Sequence, residues 1–247
     1  MNMPMVPVNK NKKNENMIDF TGLPAEALTN EMTHATEFVD SNHPAIEQFI
    51  EKAFAGKVPA TDLEKTILLF NAVRDDIRYN PYQVNFDTES FKASNVAGME
   101  SAFCVPKAIL LTACLRHLGI PAAVGFADVQ NHLNSPKLAE MMETDLFSYH
   151  GYVALLLDGK LFKVTPTFNK QLCDKFGVKP IEFDGTGDAL FHEFDAADRK
   201  HMEYVKDRGI FENPPIPDLI SDLGELYPKL KDAVMQDAEK ADSDFAA

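Results

Sequence analysis

Hydrophobic residues recur at helical spacing in the first half of the chain, and later segments are predicted to form strands. The clearest early helix begins after Thr61, which forms a capping-box signature with Glu64 three residues on. We predict that this helix ends near Tyr79, because Pro81 disfavours helical backbone in the residue before it. Residues 82–103 show no clean period and are predicted to form a loop.

The most strongly marked helix follows this loop. Pro106 fits a first turn, Gly119 fits the position just after a helix end, and Pro121 fits the stop beyond it. Apolar residues occupy most of the circumference between these markers: Ala108, Ile109, Leu110, Leu111, Ala113, Cys114, Leu115 and Leu118. A helix that is apolar on nearly all sides is expected to be central and buried.

Three strands are predicted after the buried helix. They are Ala122–Val129, Gly151–Leu157 and Lys160–Thr165, and the last two are joined by Asp158-Gly159, a strong signal for a two-residue hairpin turn. Helices followed by antiparallel strands predict an α+β fold.

The hairpin also predicts which residues lie near His150. A two-residue turn fixes the pairing, and it sets Tyr152 opposite Thr165 and His150 opposite Thr167. Thr165 then lies diagonal to His150 on the same face of the sheet. The side chains expected to orient His150 are therefore hydroxyl groups, with the amide of Asn169 as a further candidate. The alternative for His150 is a structural histidine at the start of a strand.

Cys104 directly precedes the buried helix. The positive end of the helix dipole lowers the pKa of a thiol, and the thiolate is the nucleophilic form. The helix N–H groups at that end can also stabilise negative charge on an attacked carbonyl oxygen. Cys104 is therefore a candidate nucleophile, and a small buried core residue is the alternative. Cys114 lies among apolar residues of the helix and is expected to be structural, and the same is expected of Cys173.

Composition and charge narrow the classes of partner. The 247 residues carry 24 Lys and Arg against 38 Asp and Glu, for a formal net charge of −14. An acidic chain is a poor match for nucleic acid or for an anionic membrane surface. Three unevenly spaced cysteines, no signal peptide and no apolar run of spanning length predict a cytoplasmic protein.

Five segments resemble the transglutaminase-like superfamily, whose core is related to papain. The start of the family's cysteine-bearing helix resembles residues 103–108, FCVPKA, and its end, R-x-x-G-I-P-A-R, resembles residues 115–122, LRHLGIPA. The family's histidine strand is similar to residues 150–152, HGY, and its next strand, which ends D-P-T, to residues 165–167, TPT. Its R-D-x-I-x-Y element resembles residues 74–79, RDDIRY.

The resemblance implies a papain-like core in which a buried helix bearing Cys104 packs on an antiparallel sheet bearing His150. The family's third catalytic residue is an aspartate, and this chain has Thr165 at that position. A threonine hydroxyl can accept a hydrogen bond from the imidazole but supplies no charge, so a weaker thiolate–imidazolium pair is expected. Further motifs at Asn131-His132 and residues 183–185 and 202–204 resemble a little-characterised bacterial branch of the family.

The remaining segments are expected to extend this core at both ends. Residues 1–16 are predicted to be disordered or loosely attached, 17–60 to be a helical extension with a helix over Ala45–Ala55, 61–170 to be the core and 171–247 to be a C-terminal extension. The last segment divides into an acidic loop, Cys173–Asp198, and a charge-mixed helix or helix pair, Asp218–Lys240.

Three further residues are candidates for substrate binding. His132 follows the first strand and could line a cleft with His150, Tyr152 lies two residues beyond that histidine, and Asp184 could contact a substrate amine. The alternatives are a structural loop histidine for His132 and a solvated acidic turn for Asp184. Metal-binding pairs and nucleotide motifs are absent from the sequence, so neither a metal nor a cofactor is expected.

These observations predict a cysteine-dependent hydrolase or acyltransferase. Its substrate would be an amide or acyl group of a peptide, protein or small molecule, attacked by Cys104 to give a thioester. We favour hydrolysis because the sequence shows no recognisable second-substrate site. The alternatives are an inactive transglutaminase-like fold that serves as a binding or scaffolding protein, and acetyl transfer from acetyl-coenzyme A, which the acidic surface disfavours. The oligomeric state stays open.

Overall fold

A computed structural model describes residues 20–131, 136–190 and 202–235, and it has the predicted α+β architecture. The helices are α1 Pro44–Phe54, α2 Asp62–Asp76, α3 Ala93–Val96, α4 Cys104–His117, α5 Pro136–Met142, α6 Lys170–Phe176 and α7 Ile216–Leu226. The strands are β1 Arg78–Tyr79, β2 Ser101–Ala102, β3 Ala122–Asn131, β4 Leu146–Leu157, β5 Lys160–Val164 and β6 Met202–Phe211. Residues 228–235 are also helical.

The predicted buried helix, α4, forms the centre of the molecule. It packs against β3 and β4 on one side and against α1, α2 and α3 on the other. Every residue from Cys104 to Arg116 is buried. The helix ends as predicted at Gly119, which has a φ of 76° and donates its N–H to the carbonyl of Arg116, while Ile120 donates to that of Leu115.

The main sheet has the antiparallel order β5-β4-β3-β6 and is covered on both faces. The face opposite α4 carries a second apolar cluster that joins Tyr152 and Ala154 to Ala25 and Leu28 of the N-terminal segment. A Cβ on Gly125 would lie 2.1 Å from the ring of Tyr152, so only glycine leaves room for that ring.

The hairpin prediction is confirmed at its turn and is wrong beyond its end. Asp158 and Gly159 both have positive φ, and the pairing runs from Leu157–Lys160 to Val153–Val164 in the predicted register. The predicted pairs of Thr165 with Tyr152 and of Thr167 with His150 do not form. Pro166 has no N–H with which to continue the ladder, and Thr165 instead donates its N–H to the carbonyl of Ala189 at 2.8 Å.

The helix after Thr61 starts as predicted but ends earlier. Thr61 and Glu64 form the complete capping box. However, α2 stops at Asp76 instead of Tyr79, because Arg78 and the residues around it pair with the segment before α4 as a short parallel ladder. The predicted loop over residues 82–103 contains β2 and α3 as well as a 3₁₀ turn.

The C-terminal extension holds more regular structure than the sequence indicates. The predicted loop over Cys173–Asp198 begins inside α6, and β6 was not predicted at all. The predicted charge-mixed helix proves to be amphipathic, since α7 buries Ile216, Leu219 and Leu223 against the core. Residues 1–16 lie outside the described residues.

Candidate active site

Cys104 is the first residue of α4, and its sulfur lies among backbone N–H groups. Phe103 occupies the N-cap position and caps the helix with no side-chain hydrogen bond. The N–H groups of Gly151, Val105 and Cys104 itself act to lower the pKa of the thiol. The contact with Gly151 places the thiol beside the strand residue that follows His150.

Gly151 is what allows the helix and the strand to approach so closely. A Cβ at this position would lie 2.9 Å from the Cα of Val105 and 3.1 Å from the carbonyl oxygen of Cys104. Both are backbone atoms at the start of a buried helix, so they have little freedom to move. Sequence reasoning quoted Gly151 only as part of the histidine motif and missed this role.

Cys104 and His150 line one buried cavity. The cavity has a volume of about 50 Å³ and is otherwise mainly apolar and aromatic, with Tyr79, Phe103 and Phe147 among its walls. That volume holds only a few water molecules and is well below the roughly 300 Å³ of an ordinary ligand site. An adjoining cavity of about 300 Å³ shares Tyr79 and Phe147 with it.

Burial keeps both groups neutral. It raises the pKa of the Cys104 thiol to about 11, although the N–H groups of Gly151 and Val105 act in the opposite direction. Burial also lowers the pKa of His150 to about 4. The expectation of a lowered thiol pKa at the helix N-terminus is therefore wrong, because desolvation outweighs the effect of the backbone N–H groups.

The hydroxyl groups predicted to orient His150 do not bind it. The Nε2 atom of His150 is buried and has no hydrogen-bond partner among the described residues, and the same holds for the Oγ1 atoms of Thr165 and Thr167. The side chain of Asn169 is engaged elsewhere, since its Oδ1 accepts the N–H of Tyr79 at 3.1 Å. The role of Thr165 stays a prediction.

Lys107 is a buried cation near the thiol that the sequence analysis did not single out. Its ammonium group donates to the carbonyl oxygens of Arg74, at 2.9 Å, and of Ile77, at the C-terminal end of α2. Burial lowers its pKa to about 7, and its charge acts to lower the pKa of Cys104. The sequence signal for Lys107 is that it is a charged residue in the first turns of a helix whose residues are mostly apolar.

The structure does not bring Tyr152 or Asp184 to this cavity. Tyr152 lies on the opposite face of the sheet and donates its hydroxyl to Asp207 at 3.0 Å. Asp184 lies on an exposed turn and accepts from both the N–H and the hydroxyl of Thr186. His132 lies outside the described residues. The substrate-binding roles of these residues stay predictions.

Sequence reasoning also missed the residues of the C-terminal extension that close the cavity. Leu223 of α7, Tyr227 just after it and Leu230 all line the cavity with Cys104. Helix amphipathicity could have indicated that this segment packs on the core, but no local pattern indicates which part of the core it covers.

Within residues 20–131, 136–190 and 202–235, we find no group of three or more histidine, cysteine or acidic side chains placed to hold a metal ion. None of the helices in the same ranges has the length and apolarity that crossing a bilayer requires.

Comparison with known proteins identifies the core. Residues 52–166 match the family described as the transglutaminase-like superfamily, whereas none of the curated proteins matches the chain. A solved structure from Cytophaga hutchinsonii, described as a proposed cysteine protease, has 15% sequence identity and a TM-score of 0.42 over 79% of this chain and 57% of its own. A proposed protease from Parabacteroides distasonis has 18% identity and a TM-score of 0.33 over 48% of this chain and 22% of its own. The family match places residues 52–166, with Cys104 and His150, in the transglutaminase-like superfamily.

Proposed function

We propose that this protein is a cysteine-dependent hydrolase or acyltransferase that acts on an amide or acyl group, with Cys104 as nucleophile and His150 as general base and acid. The observation that carries the proposal is the shared cavity, in which the thiol of Cys104 meets backbone N–H groups and the Nε2 atom of His150 is unpartnered. A buried nitrogen without a partner is costly in a purely structural histidine.

The proposed reaction uses these groups in sequence. The sulfur of Cys104 bonds to the carbonyl carbon of the substrate while its proton passes to His150. The imidazolium then returns that proton to the leaving amine, which departs and leaves a thioester. Water or a second amine attacks the thioester, and His150 accepts the proton of that nucleophile. The C–S bond then breaks, the imidazolium returns the proton to the sulfur of Cys104, and the acid or new amide is released. Helix N–H groups at Cys104 and Val105 stabilise the negative charge that develops.

The neutral resting state fits a mechanism in which substrate completes the site. Because the pKa of Cys104 is about 11 and that of His150 about 4, the proton rests on sulfur. Proton transfer then accompanies attack on the carbonyl instead of preceding it. The adjoining cavity of about 300 Å³ is large enough to take the body of a small substrate beside the thiol.

The test is alkylation of the three cysteines by iodoacetamide, a small reagent that carries a primary carboxamide, followed by mass spectrometry across pH. We expect Cys104 to react faster than Cys173, whose pKa burial also raises to about 11, because His150 assists only Cys104. In His150→Ala this advantage should disappear. Equal rates at Cys104 and Cys173, or no effect of His150→Ala, would contradict the proposal.

The second candidate is a binding or scaffolding protein on an inactive core. The observations that favour it are the small cavity, the two neutral groups and the lack of an acidic partner on His150 Nε2 among the described residues. Cys104→Ala separates the two candidates, since it abolishes the activity of an enzyme and leaves partner binding intact in a scaffold.

A further inference from the structure

Two side chains of the C-terminal segment hold the strand just before His150. The hydroxyl of Tyr227 accepts the N–H of Ser148 at 2.8 Å and donates to the carbonyl of Leu146 at 3.0 Å. Asp222 of α7 accepts a hydrogen bond from the hydroxyl of Tyr149. Both residues lie outside the segment 52–166 that matches the superfamily.

The backbone at Tyr149 has an unusual conformation. Its φ is 59°, in the left-handed region that bulky residues rarely adopt, and it lies where the pairing of β3 with β4 shifts register between Ala127 and Val129. The N–H of Tyr149 is satisfied by Oδ1 of Asp128 at 3.2 Å. Because the next residue is His150, the conformation of Tyr149 sets the direction in which the histidine leaves the strand.

Side-chain hydrogen bonds do not orient the Nε2 atom of His150, since it has no partner among the described residues. Among the described residues, what positions it is therefore packing and the backbone. Tyr149 is anchored at both ends, at its N–H by Asp128 and at its hydroxyl by Asp222, which is 1% exposed. The hydrogen bond from the Tyr149 hydroxyl to Asp222 links the left-handed backbone at Tyr149 to the C-terminal segment.

We propose that Asp222 is a positioning residue for His150 and acts through Tyr149. The inference rests on the proposed function, because it assumes that His150 exchanges protons with Cys104. It gives the C-terminal extension a role in the chemistry: α7 completes a site whose other parts lie in the superfamily core.

The experiment compares five variants with the wild-type protein. Asp222→Leu removes the acceptor and Tyr149→Phe removes the donor, while the double variant removes both partners of this hydrogen bond. Asp222→Asn keeps an acceptor of the same shape and serves as the conservative rescue. Asp218→Asn, on the exposed first turn of the same helix, is a further matched control.

Two measurements are made on variants that unfold cooperatively: the pH profile of Cys104 alkylation by iodoacetamide, and the titration of the His150 ring signal by NMR, assigned with His150→Gln. We expect Asp222→Leu, Tyr149→Phe and the double variant to slow alkylation by about tenfold to a hundredfold and to shift the His150 titration. Asp222→Asn should recover most of the rate, and Asp218→Asn should match wild type.

Wild-type alkylation rates and an unshifted His150 titration in the folded double variant overturn the inference. Failure of the proposed function gives a different result: alkylation of Cys104 in the wild-type chain is then insensitive to His150→Ala. In that case the NMR titration alone decides whether Asp222 positions the ring, and a shift in the double variant but not in Asp218→Asn supports the inference.

Discussion

Two tyrosines on β4 flank His150 and Gly151 and face opposite sides of the sheet. Tyr149 lies in the main core with α4, and Tyr152 lies in the second cluster. Each donates its hydroxyl to an aspartate, Asp222 for the first and Asp207 for the second. Each also carries a cation over its ring, Arg208 at 4.2 Å over Tyr149 and Lys163 at 5.4 Å over Tyr152.

The ion pair beside Tyr149, Arg208–Asp128, and the ion pair beside Tyr152, Lys163–Asp207, differ in burial and in the backbone next to them. Arg208 binds Asp128 through two hydrogen bonds of 2.6 and 2.7 Å, and the two side chains are 3% and 8% exposed. Lys163 binds Asp207 at 2.9 Å, but these side chains are 22% and 44% exposed. The same chemistry therefore fixes an unusual backbone beside the candidate general base, His150, on one face, and on the other it covers an ordinary strand. Four predictions test this contrast.

The largest effect is expected from breaking the buried ion pair. Asp128→Asn removes the negative charge that the guanidinium of Arg208 binds, so we expect a loss of about 3–5 kcal/mol in the free energy of unfolding, measured with urea. Lys163→Met, at the exposed counterpart, should cost less than about 1 kcal/mol. Equal losses from the two variants would mean that burial does not distinguish the pairs.

Gly151→Ala should separate the helix from the strand. The added Cβ meets backbone atoms of Cys104 and Val105, and we expect a loss of about 3 kcal/mol together with reduced alkylation of Cys104. The matched control is Gly125→Ala, whose Cβ meets the ring of Tyr152 on the opposite face. It should also destabilise the fold, but the folded protein should keep the reactivity of Cys104. Unchanged Cys104 reactivity in Gly151→Ala would contradict this role.

Acid should destabilise the protein through His150. Burial lowers the pKa of this imidazole to about 4, below its ordinary value of about 6.5, so the unfolded chain binds a proton in a range where the folded protein does not. Stability should therefore fall as the pH drops from about 6.5 to 4, by about 2–3 kcal/mol from this group. Urea unfolding at several pH values should show a flatter dependence in His150→Gln, and parallel curves would refute the assignment.

The smallest effect is expected from Tyr152→Phe. Removing this hydroxyl loses one hydrogen bond to Asp207, at a cost of about 1 kcal/mol, and should leave alkylation of Cys104 at the wild-type rate. Tyr149→Phe, with the equivalent change on the other face, should slow it. A slower reaction in Tyr152→Phe would instead favour the sequence-based assignment of this tyrosine to the site.

The sequence by itself determined the elements that depend on neighbouring residues. The capping box at Thr61, the end of α4 at Gly119 and the turn at Asp158-Gly159 are local arrangements, in which a few adjacent residues fix the backbone. The motifs around Cys104 and His150 identified the superfamily from the sequence alone. They could do so because the family pattern places its cysteine at the start of a helix and its histidine at the start of a strand.

Only the tertiary structure decided the protonation of Cys104 and His150 and which segments surround these two residues. The protonation of Cys104 and His150 follows from burial, which depends on segments distant in sequence that close over them. The pairing of β1 with β2, the departure of Thr165 toward Ala189 and the contact of Asp222 with Tyr149 likewise join segments that no local pattern relates. Local sequence fixes where helices and turns begin and end. Exclusion of solvent and long-range contacts fix the charge and the orientation of the side chains in the candidate site.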